Sequence, residues 1–175
     1  MRATVLYGAD GRALIPSKAA GRGGNPTLNL TPFQLQKQLE NFARGRISPL
    51  ARTMEWVEEH DPMTAAVAEK ARTAVTRHGY EVIKKQNLDE SQEAMAEEQQ
   101  QVVQNFYDNI EAHDAEDLDE CGGMRLLLKQ MMKAFGQRYA VHHLVWKPGA
   151  NGLMLETKLV PLYYFENGTG RMRFV

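Results

Sequence analysis

The stretch YAVHHLVWKPGANGLMLETKLV, residues 139–160, decides the fold class. Its first half alternates with a period of two, which places Val141 and Val145 on one face and Leu144 and Trp146 on the other. Residues 148–152, PGANG, form a turn signal, and 153–160 can return as a second strand. We therefore predict an antiparallel β-hairpin here.

Helices precede this hairpin. Residues 123–135 are too apolar for an exposed surface, and we expect that helix to belong to the core. A longer helix is predicted from Asp89, which with Gln92 resembles a capping box, to about Ala112. Its first half, 90–101, is almost wholly polar and must be solvated or bound by a partner. The acidic stretch 113–120 is predicted to link the two helices.

Three shorter helices with a proline near the start are predicted between residues 31 and 77. Thr31, Ser48 and Asp61 each precede a proline and can act as N-caps, and Gln34 completes a capping box with Thr31. The apolar stripes that we expect to be buried are Leu35, Leu39 and Phe42, then Leu50, Met54 and Val57, then Met63, Val67, Ala71 and Ala74 or Val75. Gly79 ends the third helix, and residues 80–83 alternate as a strand should.

Both ends of the chain carry short apolar runs around turns. Residues 4–15 contain the turn signal Asp10-Gly11 and predict a hairpin or arm, and the glycine-rich basic segment 16–26 predicts a flexible linker. Residues 162–165 and 172–175 flank a glycine turn and predict a second hairpin. We expect an α+β fold, with an N-terminal arm and flexible basic linker over residues 1–26 and an α+β domain over 27–175.

The composition fits one soluble globular domain of 175 residues, with 43% hydrophobic and 25% charged residues. No apolar run approaches the roughly 18 residues of a membrane span, so we expect no membrane partner. The start lacks the apolar stretch of a secretory signal, and the chain has a single cysteine, so we expect an intracellular product.

The net charge of −1 conceals a division along the chain. Twelve acids and no Lys or Arg lie between Gln86 and Arg125, which leaves ten acids against 21 bases elsewhere. Such a division can help copies of the chain pack against each other or against a polyanion, but two solvated faces of a monomer would look the same. The basic first third could contact DNA phosphates, although direct reading of DNA sequence is not expected.

No motif carries catalytic or metal chemistry. His142 and His143 are neighbours on a strand and point to opposite faces, and Cys121 is distant from both. Residues 21–24 lack the strand and the Gly-Lys-Ser/Thr of a phosphate loop. The carboxylates of residues 89–120 are predicted to form a solvated acidic surface. We therefore predict no enzyme: no catalytic residue, no cofactor and no bound metal.

Four stretches, taken in order, resemble the portal proteins of Mu-like phages and prophages. The first two are VLYGADGRAL at 5–14 and NLTPFQL at 29–35. The third is EHDPMTAAV at 59–67 followed by HGYEV at 78–82. The fourth comprises AFG at 134–136, LVW at 144–146, PLYYF at 161–165 and GRMRF at 170–174. The resemblance covers nearly the whole chain, and none of its motifs is catalytic.

The resemblance implies the outer, wing part of a structural subunit in a portal ring of typically twelve copies, the head-tail connector at a capsid vertex of the virion. Double-stranded DNA is packaged and ejected through such a ring, without sequence specificity. The implied partners are further copies of the chain, the major capsid protein, the terminase large subunit and head-tail adaptor proteins. Assembly would take place in the host cytoplasm. We expect the chain to be truncated before the stem and clip of the family.

Three alternatives remain open. A stand-alone adaptor would use the polar helix 90–101 to recognise a partner and would be a monomer or a dimer. A nuclease would use the carboxylates of 114–120 with Mg²⁺, and its DNA cleavage would be lost on Asp117→Ala. A non-functional prophage fragment would keep the portal fold without assembling. We also hypothesise that the acidic middle makes ring contacts, which charge reversal at Glu116, Asp117, Asp119 and Glu120 tests.

Overall fold

A computed structural model describes residues 6–7, 13–14, 25–85, 89–117, 119–149 and 152–174. The fold is α+β, as predicted. Strands β1 (Leu6–Tyr7) and β2 (Ala13–Leu14) pair antiparallel, as the predicted N-terminal hairpin requires. Residues 16–24 of the predicted linker 16–26 lie outside the described residues. Among the described helices, none is long and apolar enough to cross a membrane.

The predicted helix starts are correct in position and differ in how they are stabilised. Helix α1 (Pro32–Ala43) has the predicted capping box of Thr31 and Gln34, and Asp61 caps α3 (Pro62–Thr76) through the amides of Met63 and Thr64. The predicted Ser48 cap of α2 is wrong, because α2 (Ser48–His60) begins at that residue after Ile47 and has no side-chain cap. Ile47 is fully buried, so packing replaces capping at this start.

The later helices are shorter than predicted. Helix α4 spans Glu90–Asp108, and Asp89 makes no side-chain capping bond, so the predicted capping box with Gln92 is wrong. The predicted helix 123–135 is divided at Met132 into α5 (Met124–Met131) and α6 (Lys133–Gln137). Leu127 of this region is buried, but Met131 and Phe135 are exposed, so only one side of it belongs to the core.

A four-stranded mixed sheet lies beside these helices in the order β4-β3-β6-β5. Strands β5 (Val141–Gly149) and β6 (Gly152–Val160) form the predicted hairpin. Strand β3 (Glu111–Asp114) runs parallel to β6, and β4 (Cys121–Gly122) pairs with β3. The sequence had predicted only a linking stretch here. Both strands are too short and polar to give a period-two pattern.

The C-terminal hairpin is confirmed in position but is shorter than predicted. Residues Leu162–Tyr164 form a 3-10 helix, and β7 (Phe165–Glu166) pairs with β8 (Arg173–Phe174). The hairpin is fastened to the helices at Gly45, whose carbonyl accepts from the Asn167 amide at 2.7 Å. A Cβ at Gly45 would meet Asn167 backbone atoms at 2.4 Å, and its φ is +87°, so the junction requires glycine.

The core consists of two clusters. One contains Ile47, Ala51, Leu162 and Tyr163 and joins α2 to the 3-10 helix. The other contains Ile110, Ala112, Leu127 and Leu155 and joins α5 to the sheet. The clusters bring the helices and both ends of the sheet into one unit, which positions the polar residues described below.

The predicted burial of two helix stripes is wrong. Met63 and Val67 of α3 are 75% and 63% exposed, and Leu39 of α1 is 50% exposed. Helix α3 instead presents polar residues to its neighbours, since Arg72 pairs with Glu58 at 2.5 Å and Glu69 with Lys129 at 2.9 Å. The amphipathic pattern was therefore detected correctly, but the apolar side of α3 lies on the surface of this chain.

Residues 80–85, which we call the strap, do not form the predicted strand. They run extended along α4, where glutamine side chains take the place of a neighbouring strand. The Gln100 amide donates to the Val82 carbonyl at 2.5 Å, and the Val82 amide donates to Gln104 Oε1 at 3.2 Å. The backbone hydrogen bonds of Val82 are thus satisfied without a sheet.

Candidate functional site

A polar network joins the acidic loop after β3 to the helices. The Tyr163 hydroxyl donates to a Glu116 carboxylate oxygen at 2.6 Å, and the Tyr164 hydroxyl lies 3.2 Å from the same oxygen. The Arg52 guanidinium lies over the Tyr163 ring, 5.3 Å from its centroid. Burial and the bond to Glu116 raise the pKa of Tyr163, so this phenol remains a donor.

A second part of the network surrounds Glu55 of α2. Its carboxylate lies 3.8 Å from the Lys133 ammonium, and both side chains are mostly buried. Burial raises the pKa of Glu55 to about 7, against the lowering effect of Lys133 and with the help of Glu116, Glu59 and Asp114. Glu55 therefore titrates close to neutral pH, which makes it a pH-dependent charge in the middle of the fold.

His142 borders the same network from β5. Burial lowers its pKa, while Asp114 raises it and Lys133 lowers it further. The register pairs His142 with Leu159 and His143 with Lys158, which agrees with the predicted opposite faces. Within the described ranges no three His, Cys, Asp or Glu side chains are grouped so that they could hold a metal ion, and Cys121 is exposed.

The other face of the sheet carries an ion-pair ladder. Glu156 bonds to Lys147 and, at 2.9 Å, to Lys158. Although burial raises the pKa of Glu156, its hydrogen bonds from the two lysines lower that pKa to about 2. Lys158 is 7% exposed and lies between His113 and His143, one on each neighbouring strand. On this face the ion pairs of Glu156 lie beside the apolar pair of Val141 and Val160.

The acidic residues proposed for ring contacts are divided by the structure. Glu116 accepts from the two tyrosines, and Glu120 lies 3.4 Å from the Gln130 amide, so both contact their own chain. Asp117 accepts from the Asp119 amide at 3.0 Å, and both residues are exposed. Glu93 and Glu97 of the polar helix half pair with Lys84 of the strap. Part of that helix half is therefore bound by its own chain.

Large apolar side chains are exposed on several elements. They lie on α1 and the turn before it, on α3, on the strap and α4, on α5 and α6, and on the hairpin: Leu28, Phe33, Leu39, Met63, Val67, Ile83, Met95, Val102, Met131, Phe135, Leu144, Trp146 and Leu153. Where such side chains form a continuous apolar surface, that surface is typical of a binding site for another protein.

The network residues Arg52, Glu55 and Tyr163 were not identified from the sequence. Glu55 lies in an ordinary amphipathic helix, and its burial depends on Lys133, which is 78 positions away. Tyr163 was recognised only as part of an aromatic run. No local pattern indicates either contact, because the Tyr163 contacts depend on how the 3-10 helix packs on α2 and the Glu55 contact depends on how α6 lies beside α2.

The chain matches a model of a known protein family. A family model described as the portal protein of Mu bacteriophage matches residues 51–174, more than half of the chain. The match includes the whole polar network and the four-stranded sheet, and it excludes α1. No curated protein matches the chain.

Proposed function

The chain belongs to the family of Mu bacteriophage portal proteins, and on that premise we propose that it is a subunit of a portal ring through which double-stranded DNA is packaged and ejected. The observation that carries the proposal is the match over residues 51–174. The exposed apolar side chains of α1, α3 and α4 support it, because a ring subunit buries such surfaces against its neighbours.

The mechanism that we propose is assembly without chemistry. The portal family is structural, and a closed ring of identical subunits requires each copy to present two unlike faces. The chain would then need no catalytic residue, no cofactor and no metal. The hydrogen bonds from Tyr163 and Tyr164 to Glu116 join the acidic loop to the 3-10 helix within each copy.

The partners in this proposal follow from the place of a portal in a virion. Twelve copies of the chain would form the ring at one vertex of the capsid. The major capsid protein would surround it, and the terminase large subunit and head-tail adaptor proteins would dock on its ends. DNA would pass through without sequence-specific contacts, since a channel must accept every sequence.

Negative-stain electron microscopy of the purified chain near neutral pH tests this proposal. We expect end-on particles with rotational symmetry and a central hole. Small single particles at all protein concentrations would contradict the ring and favour the stand-alone adaptor. Incubation of the same sample with linear DNA and Mg²⁺ tests the nuclease alternative, for which we expect no cleavage by the chain or by Asp117→Ala.

A further inference from the structure

One edge of the four-stranded sheet is a long and regular strand. In the order β4-β3-β6-β5, strand β5 forms one edge with nine residues, whereas β4 at the other edge has two. The register pairs β5 with β6 residue by residue from Val141 to Gly149, so no bulge interrupts the strand. An edge of this length presents a row of backbone groups to which a further strand can bond.

Pro148 shows which backbone groups of β5 face outward. It lies opposite Leu153 in the ladder, and it has no amide hydrogen to donate to β6. The backbone at Pro148 therefore points away from β6, and this orientation recurs at every second residue of the strand. Trp146, Leu144 and His142 consequently direct their amides and carbonyls to the open edge. Within the described part of the chain, these backbone groups have no hydrogen-bond partner.

The side chains along this edge are apolar and exposed. Leu144 and Trp146 are 48% and 54% exposed. Natural proteins protect an edge strand from pairing with another chain by lysine, proline or a bulge. In β5, Lys147 and Pro148 stand only next to the turn, and the run 142–146 contains no lysine, no proline and no bulge. This run is therefore open to a strand from another molecule.

The strap is an extended segment that also has no strand beside it. Its residues 80–85 alternate between partly buried and exposed, as in a strand that lies on a helix. Val82 bonds through its amide and carbonyl to two glutamines of α4. Because successive residues of an extended chain direct their backbone groups to opposite sides, Glu81 and Ile83 direct theirs away from these glutamines. Among the described residues, none bonds to the backbone of Glu81 or Ile83.

The two open edges lie on opposite sides of α4 in a single copy. The strap bonds to Gln100 and Gln104, whereas the hairpin meets the helix at Phe106, whose ring stacks on Trp146 with centroids 6.0 Å apart. At 3.6 residues per turn, Phe106 lies about 160° around the helix from Gln104. Helix α4 therefore stands between the strap and β5 within one chain, and each edge is offered to a different neighbour.

The length of the strap distinguishes it from the other extended segments that the structure describes. Strands β1, β2, β4, β7 and β8 have two residues each, which is too short to cover the run 142–146. Strands β3 and β6 already have a neighbour on each side. A second β5 would pair with itself about a twofold axis, which closes a dimer and leaves no contact for a ring. The strap of another copy is the described segment that fits this edge.

On the premise of the proposed function, we propose that the strap of one copy pairs antiparallel with the open edge of β5 in the next copy, with Ile83 opposite Leu144. The backbone groups of both edges then gain partners, and Val82 keeps its bonds to α4. Ile83 is 72% exposed in the single chain, so the pair also covers two apolar side chains. The strap and β5 are unlike surfaces, and each is used once per copy around the ring.

Disulfide trapping tests the contact. In a Cys121→Ser background, Ile83→Cys and Leu144→Cys place one thiol on each edge. Opposite residues that share hydrogen bonds in antiparallel strands have Cα atoms about 5.5 Å apart, which a disulfide can span. Mild oxidation of the double variant should give a reducible ladder of covalent oligomers on a denaturing gel. Val67→Cys with Leu144→Cys in the same background is the matched control and should give no ladder, because Val67 is 63% exposed on α3.

A proline variant tests the backbone part of the contact. Leu144→Pro removes an outward amide that has no partner within the described chain, so thermal unfolding should show a folded protein. Its self-association, measured by sedimentation velocity, should be at least about tenfold weaker than that of the wild type. Leu144→Val keeps the amide and should associate like the wild type.

Two results would overturn this contact and leave the proposed ring in place. One is a wild type that assembles while the double cysteine variant gives no more ladder than its control. The other is a Leu144→Pro variant that folds and associates like the wild type. Disulfide dimers of Leu144→Cys alone would also overturn it, because they would show β5 pairing with itself. A wild type that never associates would instead contradict the proposed function itself.

Discussion

Tyr163 donates its hydroxyl hydrogen to Glu116 at 2.6 Å, and this bond connects the acidic loop after β3 to the 3-10 helix that packs on α2. The two residues are 47 positions apart. Tyr163 belongs to the core cluster of Ile47, Ala51 and Leu162, so its hydroxyl attaches to the core a loop that the sequence presents as solvated. The acidic loop is therefore part of the folded unit rather than a free tether.

Tyr163→Phe should destabilise the chain by about 1–2 kcal/mol, because a phenol that donates to a carboxylate is lost while the ring packing is kept. Urea unfolding measures the change. Tyr164→Phe is the control, since its hydroxyl is 3.2 Å from the same oxygen and its side chain is less buried, and we expect a loss of less than about 0.5 kcal/mol. A loss of less than about 0.5 kcal/mol in Tyr163→Phe would show that its bond to Glu116 does not stabilise the fold.

The strap should open when its glutamine contacts are removed. Gln100→Ala and Gln104→Ala each delete one hydrogen bond to the backbone of Val82. Hydrogen exchange at the Val82 amide should become at least about tenfold faster in Gln104→Ala, which deletes its acceptor. Gln99→Ala, an exposed neighbour on the same helix, should leave the exchange rate unchanged. Unchanged exchange in Gln104→Ala would mean that another group holds the strap.

Glu55 should make the folded chain less stable as the pH rises from about 4.5 to 7. With its pKa raised from 4.5 to about 7 by burial, the folded state keeps a proton that the unfolded chain releases over this window. The stabilisation is complete below pH 4.5 and is lost by pH 7, with an upper limit of about 3 kcal/mol.

The test compares unfolding free energies of the wild type and Glu55→Gln at pH 5 and pH 7.5. The wild type should lose stability relative to the variant over this interval. Glu81→Gln, an exposed position of the strap, is the control and should follow the wild type. A constant difference between the wild type and Glu55→Gln at both pH values would contradict the titration of Glu55.

Glu156 should give the opposite dependence in acid. Its two lysine partners lower its pKa from 4.5 to about 2 despite its burial, so its stabilisation is present above pH 4.5 and is lost as the pH falls to 2. Glu156→Gln should reduce the loss of unfolding free energy between pH 4.5 and pH 2 by up to about 3 kcal/mol. Glu111→Gln, directly opposite on β3 and exposed, should not. If the wild type and Glu156→Gln lose the same unfolding free energy in acid, the ion pairs of Glu156 are not the cause of that loss.

The sequence predicted those elements whose signals are local. The β5–β6 hairpin and the caps of Thr31 and Asp61 depend on neighbouring residues, and all three are present. The position of the apolar stripes was also predicted, but the predicted burial of the stripes on α1 and α3 was wrong. A stripe shows that a helix has an apolar side, and it does not show whether that side meets its own chain or another copy, as Met63 illustrates.

Contacts over long separations could not be predicted in this way. Strand β3 pairs with β6, about 45 residues later, and its four residues carry no periodicity of their own. The strap alternates as a strand, but the backbone of Val82 bonds to Gln100 and Gln104 of α4 instead of to a neighbouring strand. The polar network around Glu55 and Tyr163 depends on the same tertiary packing.

The mass of the assembled species shows whether copies of this chain close into a ring through unlike faces. Mass photometry over a dilution series should show one assembled species at a fixed multiple of 19.8 kDa, near twelve copies. No species larger than this ring should appear at any concentration. A monomer or dimer at every concentration, or a distribution that grows without limit as concentration rises, would contradict a closed ring.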